Sequence, residues 1–283
     1  MFFIYLLKVI GSVCCFSLHM GNLYFLTSDG VLVLGSSKLS LPGEPVCFSY
    51  PFAVSSEDGR VFVYLIVRNS ILTELTKIWF KPSRCYAYDH ELAVSAPSSN
   101  FSAILDFKNN VTYIIPRSSL VKIFDGEIII IKGNVVEVHS AGGGFTVRLN
   151  GVVNDAYAAQ GRLYACTSEG IYEILGKEVV RRLSDVPCQH VALSPFGTLA
   201  SSFLTRVRLY KVNEDKITEL RSLAFPYVVK ALAIGRDALY VQSGSELFVY
   251  SFAEVSDDTL TLILGVPTLL AALNALKKVI SRH

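Results

Sequence analysis

The chain is built from repeated pairs of short alternating segments. In each pair, a run of alternating apolar residues leads into a polar tip with glycine, and a second alternating run leaves it. Three copies are clear, at residues 27–34, 56–64 and 167–174. Alternation with a period of two is typical of a half-buried β-strand, and glycine in the tip accommodates the positive φ of a tight turn. Each copy therefore predicts a β-hairpin.

Four weaker copies follow the same plan and bring the number of hairpins to seven. Their two strands fall at residues 92–94 with 103–105, 128–131 with 135–138, 199–200 with 206–210, and 239–241 with 247–250. Successive tips are about 30 to 40 residues apart, close to the length of one four-stranded propeller blade. The spacing predicts an all-β fold, a seven-bladed β-propeller.

Each hairpin is flanked by two further segments that complete a blade. Short, nearly all-apolar segments precede the hairpins at residues 13–18, 46–50, 85–88, 121–124, 153–158, 190–193 and 229–234. Strands buried on both faces have this composition, so these segments are predicted to be the innermost strands. Outer strands are predicted at residues 38–41, 71–78, 111–115, 145–149, 178–183 and 216–220.

The repeat also accounts for the first twenty residues. They could be interpreted as a signal peptide, but no positive charge precedes Lys8 and no small-residue cleavage site follows. Residues 13–18 instead match the first inner strand, and residues 2–9 fall where an outer strand would close the ring on the seventh blade. Residues 259–264 compete for that closing position. We expect a propeller over 1–258 and an extension over 259–283.

The hairpin at residues 56–64 resembles the third-strand hairpin of WD-repeat proteins. Its sequence is Ser-x-Asp-Gly-x-Val-x-Val-Tyr, and the hairpins at 27–34 and 167–174 resemble that family more loosely. No blade has the Gly-His dipeptide or the Trp-Asp ending of the family, so its side-chain hydrogen-bond network is not carried over. The resemblance implies a divergent WD-repeat-like propeller.

Composition and charge narrow the classes of function. Apolar residues make up 51% of the chain and charged residues 18%, which excludes intrinsic disorder. The net charge is +2 without a long run of one sign, so a nucleic-acid footprint over the whole domain is not expected. The six cysteines form no CxxC pair, which excludes a zinc ribbon and a thioredoxin-type motif. A reducing compartment and a cytoplasmic location are the default expectation.

The predicted channel offers little catalytic chemistry. Its inner strands carry Lys122, Asp155, His190 and Lys230 among apolar residues, without paired carboxylates at a common position. We expect no enzyme activity, no cofactor, no metal site and an interior without room for reactive groups. Cysteines recur in the inner strands at Cys15, Cys47 and Cys85, with Cys188 just before another. We interpret them as small packed residues.

A scaffold that holds other proteins in a multi-subunit assembly is the function that these patterns favour, because a closed ring fixes its loops rigidly. Two sets of residues are candidates for the contact. Acidic hairpin tips would suit a basic partner, and a C-terminal amphipathic helix would present one apolar stripe. The tip residues are Asp29, Glu57, Asp58 and Glu169, and the stripe residues are Leu269, Leu273, Leu276 and Ile280.

Two alternatives remain from the sequence. The densest basic group would serve a nucleic-acid-associated subunit, with Arg206 and Arg208 on one face of a strand because side chains alternate. The group comprises Arg181, Arg182, Arg206, Arg208 and Lys211. The uncharged run at residues 259–276, followed by basic residues, would instead hold the propeller at a membrane.

Overall fold

The computed structural model describes residues 2–69, 71–124, 126–159, 161–213 and 217–254. Within these ranges the chain forms seven sheets, each of four antiparallel strands, and one turn of 3-10 helix at Pro97–Ser99. The predicted all-β, seven-bladed propeller is confirmed.

The strands follow one another in the order inner, second, third and outer within each blade. Strand β1 spans Phe2–Ile10. The first blade contains β2 (Val13–His19), β3 (Asn22–Thr27), β4 (Val31–Leu34) and β5 (Ser37–Ser40). The second contains β6 (Glu44–Ser49), β7 (Phe52–Glu57), β8 (Arg60–Val67) and β9 (Ile71–Ile78). The third contains β10 (Arg84–Tyr88), β11 (Glu91–Ala96), β12 (Phe101–Asp106) and β13 (Val111–Pro116).

The remaining blades repeat this order. The fourth contains β14 (Leu120–Phe124), β15 (Glu127–Lys132), β16 (Val135–Ser140) and β17 (Gly143–Arg148). The fifth contains β18 (Val153–Ala159), β19 (Arg162–Thr167), β20 (Gly170–Leu175) and β21 (Glu178–Ser184). The sixth contains β22 (His190–Leu193), β23 (Thr198–Phe203), β24 (Arg206–Val212) and β25 (Ile217–Ala224). The seventh contains β26 (Val229–Ile234), β27 (Ala238–Ser243) and β28 (Glu246–Glu254).

Strand β1 supplies the fourth strand of the seventh blade. It pairs antiparallel with β28, with Phe2 opposite Glu254 and Ile10 opposite Leu247. The outer edge of β28 is thereby paired, which removes an exposed sheet edge at this position. The competing segment 259–264, the boundary at residue 258 and the extension 259–283 lie outside the residues that the structure describes.

Apolar side chains of neighbouring blades pack against one another and form the core. Between the second and third blades, Phe52 and Val54 of β7 pack in one buried cluster with Leu92 and Val94 of β11. The second strands are covered on both faces because each blade lies between two others. Each fully buried aliphatic or aromatic side chain contributes about 1.5 to 3 kcal/mol relative to exposure.

Serine side chains join consecutive blades through the backbone of the inner strands. The Ser49 hydroxyl accepts a hydrogen bond from the Ala87 backbone N–H at 2.9 Å, and Ser95 accepts one from Val121 at 2.9 Å. Inner strands pair with the sheet on one side only, so these N–H groups need another acceptor. The blades are thus linked by polar contacts as well as by apolar packing.

Four of the six cysteines are paired, contrary to the expectation from the sequence. Disulfides join Cys47 to Cys85, from inner strands of adjacent blades, and Cys166 to Cys188, with Cα–Cα distances of 6.0 and 5.3 Å. The interpretation as unpaired packing residues is wrong for Cys47, Cys85 and Cys188, whereas Cys15 is a free thiol. Chain entropy gives each bridge about 3 to 4 kcal/mol. Disulfides persist in oxidising compartments and in hyperthermophiles, and the cytoplasmic location stays a prediction.

Candidate functional site: the central channel and the tip face

A cavity of about 380 Å³ is lined by the inner strands of all seven blades. Five consecutive blades each contribute one acidic or basic side chain to its wall. These residues are Arg84, Lys122, Asp155, His190 and Lys230. The expectation of an interior without room for reactive groups is therefore wrong, because the inner strands leave a channel between them.

Lys122 and Asp155 form a buried ion pair inside the channel. The distance from Lys122 Nζ to Asp155 Oδ1 is 2.5 Å, and Nζ also donates a hydrogen bond to the Ala156 carbonyl at 3.1 Å. Burial is the largest single influence and opposes ionisation of both groups. Their mutual attraction and hydrogen bond outweigh it together with smaller contributions, among them the charge of Arg84 near Asp155 and the Tyr86 ring near Lys122. The pKa of Asp155 is therefore lowered and the pKa of Lys122 is raised. Both groups are charged at neutral pH.

The second carboxylate oxygen of Asp155 connects the fifth blade to the sixth. Asp155 Oδ2 accepts a hydrogen bond from the Val191 backbone N–H at 3.1 Å and lies 3.9 Å from His190 Nδ1. Burial lowers the pKa of His190 to about 4, despite the neighbouring carboxylate. The imidazole is therefore neutral at physiological pH and adds no charge to the channel.

Arg84 and Lys230 line the same cavity without a matched anion. Arg84 is half-buried and Lys230 is exposed, and neither side chain makes a hydrogen bond or ion pair with the described part of the chain. Arg84 begins β10, whereas the strand predicted from the sequence began one residue later and did not include it. A shift in register between Val229 and Ala231 marks a bulge at Lys230.

The first blade adds two thiols to the channel wall. Cys15 Sγ lies 3.4 Å from Cys14 Sγ and donates a hydrogen bond to it, which lowers the pKa of the Cys14 thiol. Burial opposes this effect, and the charge of Lys230 adds to it. The hydrogen bond and burial raise the pKa of Cys15 well above its usual value. Gln242 fixes this part of the strand by donating to the Val13 and Cys14 carbonyls at 3.0 and 2.8 Å.

The described ranges contain no evident metal site. No group of three His, Cys, Asp or Glu side chains there is placed to hold a metal ion. The ionic and thiol chemistry of the channel therefore consists of one neutralised ion pair, one neutral imidazole, two thiols and two cations without a partner in the described ranges.

The predicted acidic residues lie on one face of the disk, which we call the tip face. It carries the loops from second to third strands and from outer strands to the next inner strand. Asp29, Glu57, Asp58 and Glu169 are all exposed there. The first three belong to the adjacent first and second blades, whereas Glu169 lies in the fifth. The structure thus places them on one face but does not gather them into one cluster.

The tip face also carries exposed apolar side chains that the sequence pattern did not reveal. Phe203 ends the second strand of the sixth blade and Leu204 follows it, while Tyr227 and Val228 precede the inner strand of the seventh. A hydrogen bond from the Val229 N–H to the Leu204 carbonyl, at 2.8 Å, holds the two loops together. We call Phe203, Leu204, Tyr227 and Val228 the apolar tip patch; Tyr227 is 59% exposed.

A second aromatic group occupies the tip face at the second and third blades. Trp79, which directly follows β9 and is 72% exposed, contacts Phe101 at a ring-centroid distance of 4.6 Å. Phe80 lies 4.9 Å from the same ring. Trp79 and Phe80 lie between strands and Phe101 begins β12, so the alternation within the strands does not reveal this group.

Similar solved structures support the fold assignment. A chain of the mitotic checkpoint complex matches with a TM-score of 0.70 and 12% identity, covering 88% of this chain and 96% of that one. The WD40 repeats of RRP9 match with a TM-score of 0.63 and 11% identity, covering 88% and 97%. Hsv2 of Kluyveromyces lactis matches with a TM-score of 0.62 and 12% identity, covering 83% and 91%.

The fold is a WD-repeat-like, seven-bladed β-propeller. No protein-family model matches the sequence. No curated protein matches it either.

The basic group of the propeller is partly engaged by structural contacts. Glu173, only 1% exposed, lies between two guanidinium groups, at 2.5 Å from Arg162 Nη1 and 2.5 Å from Arg181 Nε. Arg181 Nη2 also donates to the Asn213 carbonyl at 2.6 Å. Burial opposes ionisation of Glu173, but the two arginines outweigh it and lower its pKa. Arg181 therefore has a structural role in the fifth blade and connects it to the sixth.

The other basic residues divide between two blades. Arg182 lies 2.9 Å from Asp185, donates to the Glu169 carbonyl and lies over the Tyr172 ring. Arg206, Arg208 and Lys211 belong to β24 of the sixth blade, where Arg206 is exposed and the other two are half-buried. Their use by nucleic acid stays a hypothesis.

The C-terminal candidates cannot be placed in the propeller. Leu269, Leu273, Leu276 and Ile280, and the run at 259–276, lie outside the described residues. For the part of the chain that is described, no helix reaches the length and apolar character needed to cross a membrane.

Proposed function

We propose that this protein is a non-enzymatic scaffold whose tip face binds another protein in a multi-subunit assembly. The apolar tip patch is the observation that carries this proposal. Its four side chains are exposed at the end of β23 and in two adjacent loops, and a backbone hydrogen bond joins the two segments. Adjacent apolar side chains on a soluble surface are typical of interaction sites, whereas single ones are ordinary.

The patch has the composition and support expected of a binding hot spot. Aromatic side chains such as Tyr227 contribute large contact area at low conformational cost. The loops are fixed by the strands on either side, so little order would have to be gained on binding. Trp79 provides a second aromatic anchor on the same face.

Charge supports a basic partner for the same face. Asp29, Glu57, Asp58 and Glu169 are exposed around the tips and would form a polar, acidic rim beside the apolar contacts. A similar propeller is a chain of the mitotic checkpoint complex, which is consistent with a role in an assembly. The stripe formed by Leu269, Leu273, Leu276 and Ile280 is a second proposed protein contact.

Variants on the two faces of the disk test the proposal. The tagged full chain would be recovered from native extract, and co-purifying proteins would be quantified by mass spectrometry. We expect Leu204→Ala with Tyr227→Ala to lower the recovery of a stoichiometric partner at least tenfold. Met20→Ala with Phe196→Ala removes exposed apolar residues from the opposite face and is the matched control. Equal recovery by both variants would refute a tip-face contact.

The nucleic-acid alternative has a separate outcome. Arg206→Gln with Arg208→Gln would be compared with the unaltered chain in gel shifts over a range of salt concentrations. Phosphate contacts make affinity fall steeply with salt, and removal of two contacts reduces this slope. A salt-dependent shift that this variant loses would favour nucleic acid over the protein scaffold.

A further inference from the structure

The channel contains more positive charge than its own carboxylate balances. Three cations, Arg84, Lys122 and Lys230, and one carboxylate, Asp155, line the cavity, and His190 is neutral. Because Lys122 is bonded to Asp155, the excess lies on Arg84 and Lys230. These two side chains come from different blades, and neither makes a hydrogen bond or an ion pair within the described ranges.

We propose that the central channel binds a small phosphate anion, held by Arg84 and Lys230. The ligand class is a free phosphate, a diphosphate or a small phosphate monoester. Nothing in the scaffold role requires this site, so the proposal stands independently of the protein contact at the tip face.

The charge of the site favours phosphate over a carboxylate. Two uncompensated cations match an anion with two negative charges, whereas a single carboxylate would leave one cation unmatched. The planar guanidinium of Arg84 suits two oxygens of a phosphate, and the ammonium of Lys230 binds phosphate as a compact charge. Half-burial of Arg84 strengthens such contacts relative to the open surface.

The neighbouring groups leave this site open to an anion. Asp155 is bonded to Lys122 and to the Val191 N–H, and it also attracts Arg84 through space. One carboxylate cannot balance three cations, so a net positive charge remains in the channel. Glu44 lies with Lys230 at the tip-face mouth of the channel, but its ion pair is with Lys81, at 3.7 Å. The cavity volume of about 380 Å³ falls within the range of roughly 300 to 1,000 Å³ usual for small-molecule sites.

Calorimetric titration of the full chain tests the assignment. Inorganic phosphate and pyrophosphate would be titrated at constant ionic strength, with sodium chloride as the blank. We expect pyrophosphate to bind with one-to-one stoichiometry, and Arg84→Gln and Lys230→Gln each to weaken binding at least tenfold. Lys38→Gln removes an exposed cation from an outer strand and should change affinity less than twofold.

Further variants distinguish a specific anion site from non-specific electrostatic attraction and from loss of binding through misfolding. Arg84→Lys keeps the charge without the fork and should bind with intermediate affinity, while circular dichroism should match the unaltered chain for every variant. Absence of binding at millimolar pyrophosphate, or equal affinity in the Arg84→Gln, Lys230→Gln double variant, would overturn the proposal. Tighter binding of a phosphoserine peptide than of pyrophosphate would overturn its assignment to a small free anion.

Discussion

The fifth blade and the channel each contain a buried carboxylate among cations, but they use their cations differently. In the fifth blade, each oxygen of Glu173 is bonded to one arginine, so both cations have a structural partner. In the channel, Asp155 is occupied by Lys122 and by a backbone N–H, and further cations remain. Similar residue types thus form a closed structural network in one place and an open site in the other.

This difference shows that the number of basic residues in a segment is a poor guide to binding. Arg181 and Arg182 belong to the densest basic group of the sequence, yet the structure engages both within the fifth blade. Arg84 and Lys230 are isolated in the sequence and converge on one cavity only because the ring brings distant blades together. Whether a cation has a local partner is the more informative property.

Removal of the fifth-blade carboxylate should have the largest effect on stability. Glu173→Gln leaves Arg162 and Arg181 without their shared anion. Loss of one partner of a buried pair lowers the free energy of unfolding by about 3 to 5 kcal/mol. Because the two arginines are partly exposed, we expect a loss at the lower end, about 3 kcal/mol. Urea unfolding followed by circular dichroism measures this loss.

The control for this variant lies on the neighbouring strand. Glu178→Gln removes an exposed carboxylate of β21, so its free energy of unfolding should change by less than about 0.5 kcal/mol. Equal losses in the two variants would show that Glu173 does not close a structural network.

The buried His190 of the channel should make the free energy of unfolding depend on pH. His190 has a pKa of about 4 in the folded state and about 6.5 when unfolded. Between these values only the unfolded chain takes up the proton, so stability falls as pH decreases from about 6.5 to 4. The expected loss is about 3 kcal/mol. The lowered pKa of Asp155 affects stability only below the usual carboxyl pKa, where the unfolded chain takes up a proton before the folded chain does and stability falls further.

Histidine variants isolate this effect. His190→Gln should flatten the stability profile between pH 6.5 and 4.5, whereas His139→Gln, at an exposed position, should preserve it. Urea midpoints at several pH values provide the comparison. An unchanged slope in His190→Gln would contradict the burial of a neutral imidazole.

The unpartnered channel cations should have the smallest effect on stability. Arg84→Gln and Lys230→Gln break no side-chain hydrogen bond or ion pair of the described chain, so each should change the free energy of unfolding by less than about 0.5 kcal/mol without phosphate. Thermal unfolding in phosphate-free buffer measures this. A loss of several kcal/mol would give these cations a structural role like that of the fifth-blade arginines.

The repeat was predictable because strand alternation and turn residues are local properties of the sequence. Every predicted inner segment overlaps an observed inner strand. The disulfides were not predictable in this way, since Cys47 and Cys85 are 38 residues apart and meet only when two blades pack. Glu173 lies within a run of alternating apolar residues. The alternation predicts the face of the strand on which its side chain lies, but it does not predict the contacts with Arg162 and Arg181.

The channel was only partly accessible to sequence reasoning. Sequence reasoning recognised four titratable residues on the inner strands, namely Lys122, Asp155, His190 and Lys230. Their contacts could not be predicted, because these depend on the width of the ring. Arg84 was missed because the start of β10 was placed one residue late. The apolar tip patch was missed because three of its four residues lie in loops, which follow no period, and Phe203 is the last residue of its strand.

The pairing of β1 with β28 has a consequence for biosynthesis. Strand β1 is synthesised long before its partner strand β28, which ends at Glu254. Until β28 has been synthesised, the ring of the nascent chain cannot close. The unpaired strand edge can then pair with other chains. Pairing of these two strands therefore closes the ring late in folding, and it joins the two most distant stretches of the described chain.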